Sequence, residues 1–107
     1  MNDVTIYEVG PRDGLQNEKT VVPTEAKAEF IGRLVAAGLP TVEATSFVHP
    51  RWVPQLADAA DLIDLLGPAG RRHPVLVPNE RGLDRALELG CEHIAIFGSA
   101  TENIARR

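Results

Sequence analysis

Val4-Thr5-Ile6-Tyr7-Glu8-Val9-Gly10-Pro11-Arg12-Asp13-Gly14-Leu15-Gln16-Asn17-Glu18 lays out the architecture in one stretch. A β-branched and aromatic run, Val4 to Val9, breaks at Gly10-Pro11 into a polar loop, which reads as a buried strand delivering charged side chains at its carboxyl end. In folds built from parallel strands that end collects ligands and catalytic groups, because its loops vary without disturbing the core. Arg12 offers a permanent charge on a planar donor fork. Asp13 offers hard oxygen ligands for a divalent cation. Gly10 and Gly14 bracket the pair and permit close backbone approach to a ligand. Alone, Asp13-Gly14 reads as an ordinary turn, with Arg12 a solvated loop charge.

Working outward, strand-like runs start near residues 4, 41, 74 and 93, and each is followed by a helical pattern. Pro23-Thr24 opens the first helix, with Phe30, Ile31, Leu34 and Val35 on one face, Glu25, Lys27, Glu29 and Arg33 elsewhere, and Gly38 at its end. Thr41-Val42-Glu43-Ala44 is the second strand. Glu43 is anomalous there, since a carboxylate in a covered strand needs a partner or a purpose. It can pair with Arg12 across neighbouring strands, act in catalysis directly, or do both by orienting Arg12. Ser46 to Pro54 is a loop in which Trp52 reads as a packing lid and His49 as a loop histidine or a contact to substrate phosphate.

Pro54 leads into a second amphipathic helix with Leu56, Ala60, Ile63 and Leu66 inward. Asp58, Asp61 and Asp64, three residues apart, read as its solvated face. After Gly67-Pro68 and a turn, Val75-Leu76-Val77 forms the third strand, with Asn79 at its carboxyl end, followed by a helix from Glu80 to Leu89 that Gly90 terminates. His93 to Phe97 is the fourth strand, and Ser99-Ala100-Thr101-Glu102 has the spacing of a capping box that opens another helix. The expected fold is therefore α/β, four β-α units joined by right-handed crossovers into a parallel sheet, with residues 1–107 forming one domain.

Composition narrows the function. The chain has 107 residues, 44% hydrophobic and 24% charged, enough for one core. A net charge of −4 provides no basic field, so neither nucleic acid nor an anionic membrane is an expected partner. No apolar run approaches the ~20 residues that span a bilayer, Met1-Asn2-Asp3 runs straight into the first strand, and the single cysteine fits a reducing compartment, so the expected location is the cytoplasm.

Three longer strings carry a family resemblance. Gly10 to Glu18, then Glu43-Ala44-Thr45-Ser46-Phe47-Val48 with Pro50 and Trp52-Val53-Pro54-Gln55, then Pro74-Val75-Leu76-Val77-Pro78-Asn79 closely resemble the N-terminal signatures of the hydroxymethylglutaryl-coenzyme A lyases. These are metal-dependent TIM-barrel enzymes of the class that includes isopropylmalate and homocitrate synthases. The second string looks like the lyases in particular. The resemblance covers nearly the whole chain but only the first part of the family's length, which implies about half of an eight-stranded barrel. It implies cleavage of an acyl-CoA substrate, 3-hydroxy-3-methylglutaryl-CoA, into acetoacetate and acetyl-CoA, and a homo-oligomeric full-length form. Arg12 then matches the family's enolate-stabilising arginine, and Asp13 its aspartate ligand to Mg2+ or Mn2+. Gln16 and Glu43 match residues in or next to the site, and Ser46 faces the substrate. His49 departs from the pattern, where a small hydroxyl residue is usual. The family's reactive cysteine and His-x-His pair lie on later strands, so Cys91 and His93 inherit no role, and the isolated chain is expected to be inactive. The rival expectations are a condensing synthase of the isopropylmalate or homocitrate type and a non-catalytic half-barrel.

Overall fold

The computed structural model describes residues 4–49 and 51–96. Phe97, at the end of the fourth expected strand, and the capping box at Ser99–Glu102 lie outside the described residues.

The repeating β-α alternation is realised in parallel ladders only two residues long. β1 (Tyr7–Glu8) pairs with β2 (Thr41–Val42), and β3 (Thr45–Ser46) pairs with β4 (Val75–Leu76), which pairs with β5 (Ile94–Ala95). β2 and β3 belong to one continuous segment. Within it the Glu43 amide donates to the Glu8 carbonyl at 2.8 Å and the Ala44 amide to the Pro74 carbonyl at 3.0 Å, so successive residues bond to opposite neighbours. The spatial order of the strands is consequently their sequence order, the arrangement of a β/α barrel wall. The second expected strand thus runs on to Ser46 as two ladders.

The first strand departs further from expectation. Only Tyr7 and Glu8 are paired, and Val4 and Ile6 are exposed. β1 has one neighbouring strand among the described residues, so its outer side packs against nothing that would bury those side chains.

α1 (Thr24–Ala36), α2 (Ala59–Leu66) and α3 (Glu80–Glu88) follow β1, β3 and β4. α1 and α3 end at Gly38 and Gly90, whose positive φ values of 94° and 74° turn the chain back toward the sheet. The helices cover one face of the sheet. Ile31, Leu62 and Ile63 pack there with Val42, Ala44, Phe47 and Val75 from the strand segments. The opposite, concave face is open: a cleft of about 680 Å³ runs from Arg12 and Glu43 at one end to His73 and His93 at the other.

Two helix faces differ from the pattern in the sequence. On α1, Phe30 and Val35 lie partly exposed, while Lys27 is 1% exposed. Its ammonium donates to Asp58 Oδ1 and to the Gln55 carbonyl, both at 2.5 Å. Asp58, read as a solvated residue, also accepts from the Thr24 hydroxyl at 2.6 Å and so ties α1 to the start of α2. A buried cation has to be paired, and Asp58 provides the pair. Among the described residues no helix is long and apolar enough to cross a membrane.

Candidate active site

The polar loop after β1 is a wound turn. The Val9 carbonyl accepts from the amides of Arg12 (3.1 Å), Asp13 (2.7 Å) and Gly14 (3.3 Å), so Gly10–Gly14 forms a single wide helical turn of the kind found at functional sites. Pro11 sits buried in its first positions, where it has little amide bonding to lose. Gly10 is closely surrounded: a Cβ there would stand 2.7 Å from Glu8 Oε1 and 3.3 Å from the Phe30 ring, so the Glu8 side chain would have to move. Gly14 meets no such crowding.

This turn carries Arg12 back over the sheet to Glu43. Arg12 Nε donates to Glu43 Oε1 at 2.5 Å, and the Tyr7 hydroxyl donates to Glu43 Oε2 at 2.6 Å. Both oxygens of a carboxylate only 2% exposed are thereby engaged. A buried ion pair adds little net stability against an apolar alternative, but its geometry is tightly specified. Its effect here is to fix the plane of the guanidinium. Arg12 Nη1 also reaches Asp13 Oδ1 at 3.3 Å, and Asp13 is half exposed at the lip of the turn. Burial, then the hydrogen bond to Glu43 and its charge, raise the Tyr7 hydroxyl well above the ordinary phenol range, with Arg12 opposing, so Tyr7 remains a proton donor.

The turn is held from outside as well. Asn17 Nδ2 donates to the Asp13 carbonyl at 3.0 Å. Gln55 Nε2 donates to the Glu18 carbonyl at 2.7 Å, while the Gln55 carbonyl is the one that accepts from buried Lys27. A chain of contacts therefore runs from the helix layer to the segment bearing Arg12 and Asp13.

Of the residues singled out in the sequence, Arg12, Asp13 and Glu43 come together. Gln16 is half-buried in the helical turn that continues from Gly14. Ser46 is buried, and its hydroxyl, like that of neighbouring Thr45, has no hydrogen-bond partner among the described residues. Asn79 is placed elsewhere. Its side chain accepts from the Gly82 amide at 2.8 Å, capping α3, and it lines a second cleft with His49 and Arg81. Trp52 is more than half exposed and is not a packed lid. Cys91 is half-buried against the core, and burial raises its thiol pKa, opposed by Arg71 and a backbone hydrogen bond. Sequence reasoning missed Tyr7, Lys27 and Gln55. The available signal for Tyr7 was its phenol tip, which seeks a polar partner wherever the ring packs in a strand.

A divalent cation would find one exposed hard oxygen donor here, Asp13. Glu43 has no free oxygen, and among the described residues no three histidine, cysteine or carboxylate side chains converge. The described residues supply one ligand and not a complete metal site. What they do supply is a cation fork fixed by Glu43 beside a half-exposed carboxylate at the carboxyl end of a strand.

Comparison with known proteins gives a consistent result. The HMGL-like family model matches residues 3–106. The chain is 58% identical over 103 residues to the mitochondrial hydroxymethylglutaryl-CoA lyase of Arabidopsis thaliana, covering 95% of this chain and 22% of that protein. It is 52% identical over 105 residues to the cytoplasmic 3-hydroxy-3-methylglutaryl-CoA lyase of Rattus norvegicus, covering 97% and 31%. The fold overlays the HMG-CoA lyase of Bacillus subtilis with a TM-score of 0.84 at 49% identity, and that of Acinetobacter baumannii bound to coenzyme A and 3-methylmalate with 0.86 at 33%; each covers 96% of this chain and 35% of the other. The chain thus spans between about a fifth and a third of the length of these curated relatives.

Proposed function

The chain belongs to the HMGL-like family, and from that premise we propose that the protein it forms part of is a metal-dependent carbon–carbon lyase cleaving 3-hydroxy-3-methylglutaryl-CoA to acetoacetate and acetyl-CoA. The observation that carries this reading is the guanidinium of Arg12, held where the first strand ends by Glu43, whose other oxygen accepts from Tyr7. On this reading residues 1–107 are the N-terminal part of one barrel domain, and the enzyme is a cytoplasmic homo-oligomer.

In the reaction the tertiary hydroxyl loses its proton and becomes the ketone of acetoacetate. The C2–C3 bond breaks, its electron pair passes into the thioester as an enolate, and protonation at carbon gives acetyl-CoA. Arg12 faces the developing enolate oxygen, where a fixed cation lowers the barrier without reorganising. Glu43 acts as a positioning residue, because both of its oxygens are already occupied. Gln16, half-buried beside the turn, is assigned a contact to the substrate, and Ser46, whose buried hydroxyl lacks a partner among the described residues, is assigned to the substrate side of the strand. Asp13 would supply one ligand to Mg2+ or Mn2+, and the chemistry such a cation would contribute is acidification of the substrate hydroxyl.

The test is an assay of the intact protein with 3-hydroxy-3-methylglutaryl-CoA and added metal, following both products. Formation of acetoacetate and acetyl-CoA that chelation abolishes is the expected result. Condensation of acetyl-CoA with a 2-oxo acid instead would establish the synthase reading, and no turnover of either kind would leave a non-catalytic barrel. The 107-residue chain assayed alone should give no products, since a lone aspartate holds such metals weakly.

A further inference from the structure

The second cleft, of about 230 Å³, shares no lining residue with the cleft at Arg12 and Glu43 among the described residues. It forms where the first turns of α3 close on the segment that follows β3. A Cβ on Gly82 would stand 2.7 Å from the Phe47 carbonyl oxygen, so only glycine lets the helix come this close. Phe47 and His49 follow β3 and Asn79 follows β4, and the cleft therefore opens at the same end of the sheet as the turn after β1.

Its polar lining is cationic in a chain of net charge −4. Arg81 and Arg85 are one helical turn apart on one face of α3, a spacing at which like charges repel. Neither forms an ion pair among the described residues. Arg85 is held by its face, its guanidinium carbon 5.0 Å from the centre of the Phe47 ring. Stacking of this kind leaves the N–H edges free to donate. His49 Nδ1 accepts from the Arg51 amide at 3.1 Å, so the neutral imidazole carries its proton on Nε2 and can donate too. Among the described residues no carboxylate lines the cleft; Glu80 borders a neighbouring depression.

Two adjacent guanidiniums and a donor imidazole with no acidic partner make a site for an anion with several acceptor oxygens. The volume decides its size, because drug-sized ligands need roughly 300 Å³ or more. The cleft has room for a phosphate group and its waters.

We propose that the cleft formed by His49, Arg81 and Arg85 binds a phosphate of the nucleotide end of the coenzyme A thioester, while the acyl end lies at Arg12. This rests on the lyase reading above, which requires a substrate whose phosphates lie a long flexible arm away from the reacting thioester. A separate phosphate site at the same end of the sheet fits that shape.

The test uses the intact protein with Arg81→Gln and Arg85→Gln combined, and Arg81→Gln alone as a variant that keeps the Phe47 stacking. Each is assayed on the coenzyme A thioester and on the matching pantetheine thioester, which lacks the nucleotide phosphates. The double variant should raise KM for the coenzyme A thioester about tenfold and the single variant about threefold, with kcat and the pantetheine KM unchanged. Equal changes on both thioesters, or none on either, overturn the proposal. Calorimetric titration with adenosine 3′,5′-bisphosphate separates this from the activity itself. Binding that the double variant loses upholds the cleft even if the parent protein cleaves neither thioester, an outcome that would fell only the lyase reading. Binding undiminished in the double variant, or absent from the parent protein, refutes the cleft.

Discussion

Replacing Arg12 with lysine tests the organisation of the candidate site most directly. A guanidinium has five N–H donors in one plane; Nε is committed to Glu43 and one Nη1 hydrogen to Asp13, leaving the remaining three to face a ligand. An ammonium has three donors, no plane, and a shorter reach. If it satisfies Glu43 and Asp13, one donor is left, and its direction is no longer fixed. The loss expected is that of a preorganised donor aimed at developing negative charge, about 10²–10³ in kcat, or about 2.7–4 kcal/mol. The assay is steady-state turnover of 3-hydroxy-3-methylglutaryl-CoA by the intact protein at saturating metal, with circular dichroism to verify folding. Glu43 keeps a cationic neighbour and the Tyr7 hydroxyl in the variant, so the fold should survive. A kcat within about threefold of the parent would remove Arg12 from the mechanism, and a raised KM with unchanged kcat would reduce it to a ground-state contact.

Asp13→Ala in the intact protein should raise the metal concentration for half-maximal activity at least about tenfold; an unchanged metal dependence would reassign the ligand. Asp58→Ala leaves the ammonium of Lys27 buried with only the Gln55 carbonyl and Thr24 nearby, and should destabilise by about 3–5 kcal/mol, whereas Lys27→Met removes the charge and should cost far less. Urea unfolding that ranks the two in the opposite order would show the pair is not what holds α1 to α2. Burial lowers the proton affinity of His73, opposed by its hydrogen bond to the Val42 backbone. The unfolded chain therefore takes up a proton first as pH falls below about 6.5, and this contribution to stability, complete above that pH, declines on the acid side. His73→Gln should flatten the decline between neutrality and pH 5 in denaturant midpoints, and parallel curves for variant and parent would exclude His73 as its source.

The order of strands and helices was readable because hydrophobic periodicity, Pro23, Pro54 and the helix-ending glycines Gly38 and Gly90 are local signals. The pairing of Arg12 with Glu43 was one of the readings the sequence left open, since a carboxylate in a covered strand needs a partner or a purpose. What could not be read depended on distant partners. Lys27 looks like any polar helix residue until Asp58, 31 positions away, is brought against it, and Tyr7 looks like a strand aromatic until Glu43 accepts its hydroxyl. The loop after Val9 carries turn residues, yet nothing in their identities says that one carbonyl will gather three amides. Asn79 was put at a strand end, but that it caps α3 follows only from where the helix begins.

That gathering of amides on Val9 has a consequence for how the site can change. The backbone of the turn is anchored by a main-chain atom outside the turn, and none of its three bonds involves the side chains of residues 12 or 13. Scaffold and reagent are thus independently variable: different side chains can be tried at the two reactive positions on an unaltered frame, whereas inserting or deleting one residue between Val9 and Gly14 would rotate both out of register at once.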